Sequence, residues 1–281
     1  MDDLKLYAPT RDKLNQLLQI VHKYSSDIQM MLGLGKCRIL DTGRNQEREN
    51  GNPEEPKEDQ IEEMKPCELY RYLGTEQCRG TEHSVMKENL KRNFIVRLKQ
   101  VMKTGLNSRN VVKAINTYAV PVLTYSFGII KWSNTEIEDL QRRMRMIMER
   151  SRMLHPKSAI ERLILPRSRG GRGVMNLQWL HDKQVSNIKK YFNKKKSISK
   201  MHQTIVEADR GLTTTRLREQ EQETEEKCKK EEYNRNLLKQ WKRKTLHGRY
   251  PAELEQEGVD KKASVMWLTD GHMTQKRKDS W

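Results

Sequence analysis

Within residues 90–102 an apolar side chain returns every three or four positions, at Leu90, Phe94, Leu98, Val101 and Met102, with lysine and arginine in several of the gaps and Gly105 just beyond. That period is helical, so one stripe of this segment must be buried while the rest of its surface carries charge. The same spacing recurs at Leu14, Leu17, Leu18, Val21, Tyr24, Ile28 and Met31, ahead of Gly33 and Gly35, and predicts an earlier helix of about five turns. Residues 107–120 read as a further helix that Pro121 stops. Ser133 and Thr135 each have a glutamate three positions on, the capping-box pattern, ahead of Ile137, Leu140, Met144 and Ile147. Asn176 is another helix start. Extended runs are few and short: residues 4–7, 36–40, and 68–73 entering a turn at Gly74. Residues 41–65, with Asn50-Gly51, two prolines and many acids, read as a solvated loop. The fold class expected is mainly α with a few residual β-strands.

Charge restricts the partner. The chain has 281 residues, a net charge of +17 and a pI near 9.7, which favour a polyanion over an acidic small molecule. The excess is local: residues 87–200 hold 26 Lys and Arg against seven Asp and Glu, whereas residues 1–66 hold ten against 13. A segment so lopsided repels itself until a polyanion neutralises it. No run of about 18 apolar residues and no signal-peptide order is present, so an intracellular protein, nuclear included, without a membrane partner is expected. Cys37, Cys67, Cys78 and Cys228 form no Cys-x-x-Cys pair and read as reduced thiols. His155 and His181 have no ligand or nucleophile spacing. Residues 216–244 mix both charges densely and read as a long solvated helix or a partly ordered segment that links rather than catalyses.

Several stretches together resemble one family. Met1-Asp2-Asp3 is similar to the end of the Tyr-x-Asp-Asp polymerase motif. Gly33-Leu34-Gly35-Lys36-Cys37 is similar to the lysine motif that follows it, and Tyr70-Arg71-Tyr72-Leu73-Gly74 to a primer-grip strand and turn. Residues 114–125, His155-Pro156-Lys157-Ser158 and 165–173 resemble thumb and post-thumb segments, and residues 241–267 the region beyond. The family is the reverse transcriptases of non-LTR retrotransposons, which are RNA-directed DNA polymerases.

This resemblance implies a truncated palm remnant in residues 1–80, thumb-like helices in 84–134, a basic connector in 135–200 and a charged helical tail in 201–281. It implies that Asp2 and Asp3 descend from carboxylates that held two Mg²⁺ ions about 4 Å apart, and that Lys36 descends from the proton donor to pyrophosphate. Tyr70, Tyr72, Leu73 and Gly74 would form the primer grip. The family's other metal-binding aspartate precedes this stretch, so the expectation is a segment of a longer reading frame, catalytically incomplete, with no Mg²⁺ of its own and no small-molecule substrate. RNA or RNA–DNA hybrid is the expected partner, held by Lys87, Lys91, Arg92, Lys99, Arg142, Arg143, Arg145, Arg167, Arg169 and Arg172, with residues 84–200 sufficient for binding. The alternative is a retroelement-derived protein-interaction or assembly module. Counterion release separates the two, because only polyanion binding falls steeply with salt.

Overall fold

The structure, a computed structural model, describes residues 4–41, 61–65, 68–78, 82–209, 216–217 and 230–269. The chain divides into two compact units, Met1–Met86 and Lys87–Trp281. Helices dominate, and the strands among the described residues are two or three residues long.

In the first unit, helix α1 (Arg11–Asp27) starts where the Thr10 side chain, on extended backbone, accepts the Lys13 N–H. It ends several residues before the glycines. Gln29 takes a left-handed φ of 57°, the Gln29 N–H donates to the Ser26 carbonyl and the Met30 N–H to the Ser25 carbonyl. That pair of bonds closes the helix as a Schellman motif does, with Gln29 in the position glycine usually holds. The 3₁₀ turn Leu34–Lys36 leads to β1 (Arg38–Ile39), which pairs in parallel with β2 (Glu62–Glu63). Two glutamates make a poor strand by pattern. Here Arg38 pairs with Glu62 at 2.9 Å and Arg11 with Glu63 at 2.6 Å, so ion pairs flank the short ladder inside a stretch that reads as loop.

Strands β3 (Tyr70–Tyr72) and β4 (Thr75–Gln77) form a hairpin in register Tyr72↔Thr75. Leu73 and Gly74 are its two turn residues, with φ of 47° and 75°, as a type I′ turn demands. Leucine is poorly suited to such a φ, and the Thr75 hydroxyl donating to the Tyr72 carbonyl at 2.7 Å braces the turn. The expected strand at 4–7 is not one, because no neighbouring strand pairs with it. Its Lys5 instead donates to the Gln77 side chain at 2.8 Å and lies 5.3 Å from the Tyr72 ring centre.

The second unit is helical. Helix α2 (His83–Met102) carries the chain into it, and α3 (Ser108–Ala114) follows under an Asn107 cap. The helix expected to stop at Pro121 does not. Residues Ile115–Ala119 widen into a π turn in which the Val120 N–H reaches back to the Ile115 carbonyl, and α4 (Pro121–Thr124) restarts with the proline at its first position. A first helical position has no use for an N–H, so proline is tolerated there. Arg97 donates to the Tyr118 carbonyl at 3.0 Å within the irregular stretch.

Helix α5 (Asn134–Arg150) has the complete capping box of Ser133 and Glu136 and buries Ile137, Leu140, Met144 and Met148. Short α6 (Ile160–Ile164) and the 3₁₀ turn Arg167–Arg169 precede α7 (Leu177–Lys196), capped by Asn176, and α8 (Lys200–Ala208). Phe94, Leu98, Ile115, Leu123, Phe127, Ile130, Leu140 and Met144 are almost wholly buried and form the core.

Helices α9 (Lys230–Lys242), α10 (Arg249–Glu253) and α11 (Lys261–Thr269) complete the described chain. The expectation of a solvated helix is corrected for α9. Asn234, Leu237 and Trp241, spaced three and four apart, are buried. Leu237 and Trp241 close a cluster with Ala159, Ile164 and Leu165, flanked by Tyr233, Leu238 and Tyr250. A stripe this narrow is enough when its members are large. Among the described residues no helix is long and apolar enough to cross a membrane.

Candidate nucleic-acid interface

Helix α2 turns Phe94, Leu98 and Val101 inward, leaves Leu90 and Met102 half-buried, and places Arg92 and Lys99 in solvent. Arg92 donates to the Asn89 side chain at 2.9 Å. Lys87 and Lys91 belong to a different environment. Lys87 Nζ pairs with Glu136 at 2.7 Å and Lys91 Nζ with the other oxygen of that carboxylate at 3.6 Å. Both ammonium groups face the Trp132 ring, at 5.6 and 6.0 Å from its centre. Trp132 is in turn fixed by its indole N–H donating to Ser126 at 3.0 Å.

Burial by itself would raise the Glu136 carboxyl. The Lys87 hydrogen bond, the Ser133 N–H and hydroxyl, and the Lys87 charge together outweigh it and hold the group down at about 2. Lys91 also pairs with Glu88 at 3.3 Å, so both lysines are engaged by carboxylates within the fold.

Arg142 and Arg143 are exposed but share Asp139, at 2.6 Å each, and their hydrogen bonds depress that carboxyl. An exposed pair of this kind opens readily, so both cations stay available to a stronger anion. Arg145 is half-buried and pairs with Glu149 at 2.8 Å. Arg167 donates to the Leu268 carbonyl at 2.8 Å and Arg172 to the Met153 carbonyl, so both serve first to tie the turn to its surroundings. Arg169 is half-buried. The turn itself needs glycine at Gly170 and Gly173, whose φ are +79° and +80°, and at Gly171, where a Cβ would lie 2.0 Å from the Leu165 carbonyl oxygen.

In the first unit Lys36 is exposed at the end of its 3₁₀ turn, and the Tyr70 hydroxyl donates to the Lys36 carbonyl at 2.9 Å. The lysine turn and the hairpin of Tyr70, Tyr72, Leu73 and Gly74 are thereby joined. Asp2 and Asp3 lie outside the described residues, as do Cys67 and Cys228; Cys37 and Cys78 are free thiols. Among the described residues no three His, Cys, Asp or Glu converge on a point that would hold a metal ion.

Sequence reasoning missed Arg109, on exposed α3, and Arg162, whose guanidinium is 5.7 Å from the Tyr250 ring centre. Neither sits in a basic run, so charge patterning gave no signal for them. Comparison with family models, with curated proteins and with solved structures finds no match.

Proposed function

We propose that the chain is a segment of a retrotransposon-type reverse transcriptase that binds RNA or RNA–DNA hybrid along its basic helical unit, without reading sequence and without catalysing polymerisation alone. The observation that supports this is the division of α2: Phe94, Leu98 and Val101 are buried while Arg92 and Lys99 are exposed, as are Arg142 and Arg143 on α5, in a stretch carrying 26 bases against seven acids. Surface guanidinium and ammonium groups hold phosphates by charge and leave base edges unread. In this reading the palm remnant is the first unit and the thumb begins at α2. Lys36 and the hairpin at Tyr70 keep the relative order of the lysine motif and primer grip.

Four phosphate contacts, one for each of these cations, give an affinity loss of roughly 10² between 50 and 200 mM salt, and six to ten contacts across the basic unit roughly 10³ to 10⁵. Filter binding of a mixed-sequence RNA across that range tests the proposal. Replacing Arg92 and Lys99 with glutamine should lower the slope of log K against log salt by about one for each phosphate contact removed. Lys87→Gln should leave it unchanged, because that ammonium is committed to Glu136. A flat slope in the wild type rejects the proposal. It would favour the assembly alternative, built on the 201–281 tail, where Met201, Leu246, Met266 and Trp267 are exposed.

A further inference from the structure

Four guanidinium groups gather at the turn 167–173. The Arg172 N–H donates to the Arg162 carbonyl at 2.8 Å, the charge of Arg109 is felt at Arg167, and those of Arg162 and Arg167 are felt at Arg172. They come from α3, from α6, from the 3₁₀ turn and from the glycine loop after it, so the fold and not a basic run assembles them. Among the described residues no carboxylate forms an ion pair with any of the four. Glu161, next in sequence to Arg162, is taken by Lys244 at 2.7 Å. The protein acceptors that Arg167 and Arg172 do have are the carbonyls of Leu268 and Met153, which fix their positions and cancel no charge.

Polar atoms around the same turn are left without a partner. Arg162 Nε, Arg167 Nη2 and the Tyr250 hydroxyl are buried and make no hydrogen bond. Tyr250 belongs to the group: its ring faces Arg162, and a Cβ on Gly170 would stand 3.0 Å from its ring edge and 3.4 Å from its hydroxyl. Buried donors almost always have an acceptor, and like charges brought together need an anion. Burial first, and then the neighbouring cations, depress the affinity of Arg167 and Arg172 for their protons, which agrees with an uncompensated cluster. Guanidinium forks match one ligand geometry best, the tetrahedral oxyanion with several acceptor oxygens.

We propose that Arg109, Arg162, Arg167 and Arg172, with Tyr250 beside them, form a binding site for a phosphate group. Arg109 is exposed, and Arg162, Arg167 and Arg172 are half-buried. The group arrives either as inorganic phosphate or as a phosphodiester of a nucleic acid. The site shares no residue with the α2 surface, so it stands whether or not that surface binds RNA.

The test uses the full chain. Inorganic phosphate is titrated at constant ionic strength against chloride while the thermal midpoint is followed, and a 12-nucleotide RNA is titrated in parallel by fluorescence anisotropy. Phosphate at about 100 times its Kd should raise the midpoint by about 5 to 10 °C over the chloride control. Arg162→Gln and Arg167→Gln should each weaken binding at least about tenfold, the loss expected for one charged hydrogen bond. Tyr250→Phe keeps the ring and its packing, removes one donor, and should weaken binding even if an arginine variant fails to fold. Arg92→Gln should leave phosphate affinity unchanged, which separates this site from α2. A response of RNA alone to Arg162→Gln or Tyr250→Phe assigns the phosphodiester as ligand. Equal stabilisation by chloride overturns the proposal, and so does Tyr250→Phe binding both phosphate and RNA as the wild type does.

Discussion

Glu136 does three things with one carboxylate: it completes the Ser133 capping box, pairs with Lys87 and Lys91, and holds those lysines against Trp132. Glu136→Gln should cost about 1–3 kcal/mol of stability at neutral pH, the range for a cap and a charged hydrogen bond. The pH dependence has a definite sign. The folded-state value is depressed from 4.5 to about 2, so the contribution is whole above about 4.5 and is lost as pH falls from there through about 2. Urea unfolding of wild type and Glu136→Gln at pH 7 and near pH 2 should show the gap closing at the acid end; a constant gap would contradict this. The cap was legible in the sequence, since Ser133 and Glu136 are three residues apart. The second duty was not, because Lys87 lies 49 residues away and nothing local marks the pairing. For the same reason the sequence revealed how many cations the middle of the chain carries and could not show which were already spoken for.

Helix beginnings were easier to read than helix ends. Asn107, Ser133 and Asn176 announce themselves because a side-chain oxygen accepts a nearby backbone N–H, which is a local event. Ends depended on backbone states the sequence does not advertise. Gln29 adopts a left-handed conformation usually held by glycine, and the π turn at Ile115–Ala119 carries the chain through Pro121. That turn is pinned from afar. The Asn116 side chain donates to the Gly173 carbonyl at 2.8 Å and accepts the Met175 N–H at 3.0 Å, filling both of its functions at once. Asn116→Ala should therefore destabilise the protein by about 1–3 kcal/mol, and Asn116→Asp, which keeps only the acceptor, should recover part of the loss in a denaturant titration. Trp241 in α9 is the other element-scale surprise. A charge-dense segment hid one side chain that is 1% exposed. Trp241→Ala should cost about 3–5 kcal/mol, with the near-ultraviolet circular dichroism of the unit lost at lower urea.

At the scale of the whole molecule, the basic helices and α9 to α11 belong to one compact unit. Residues 84–200 were expected to suffice for binding, yet such a piece lacks Leu237 and Trp241, which close the cluster on Ala159, Ile164 and Leu165. A chain of residues 82–269 should unfold in one cooperative urea transition, and a chain of residues 84–200 in a broad one with a smaller m-value. Equal cooperativity in the two would show that α9 adds nothing to the core. The mainly helical character was legible because periodicity is repeated along the chain, whereas the long closure was not, because its partners are far apart in sequence. Arg167 and the Leu268 carbonyl it binds are separated by 101 residues. A ribosome adding about 5–20 residues per second needs roughly 5 to 20 s to make that stretch, during which the arginines at the turn have been synthesised but the segment that seats them has not. The nascent chain thus displays its cationic turn to whatever polyanion is at hand, including the ribosome's own RNA, before it can fold that turn away.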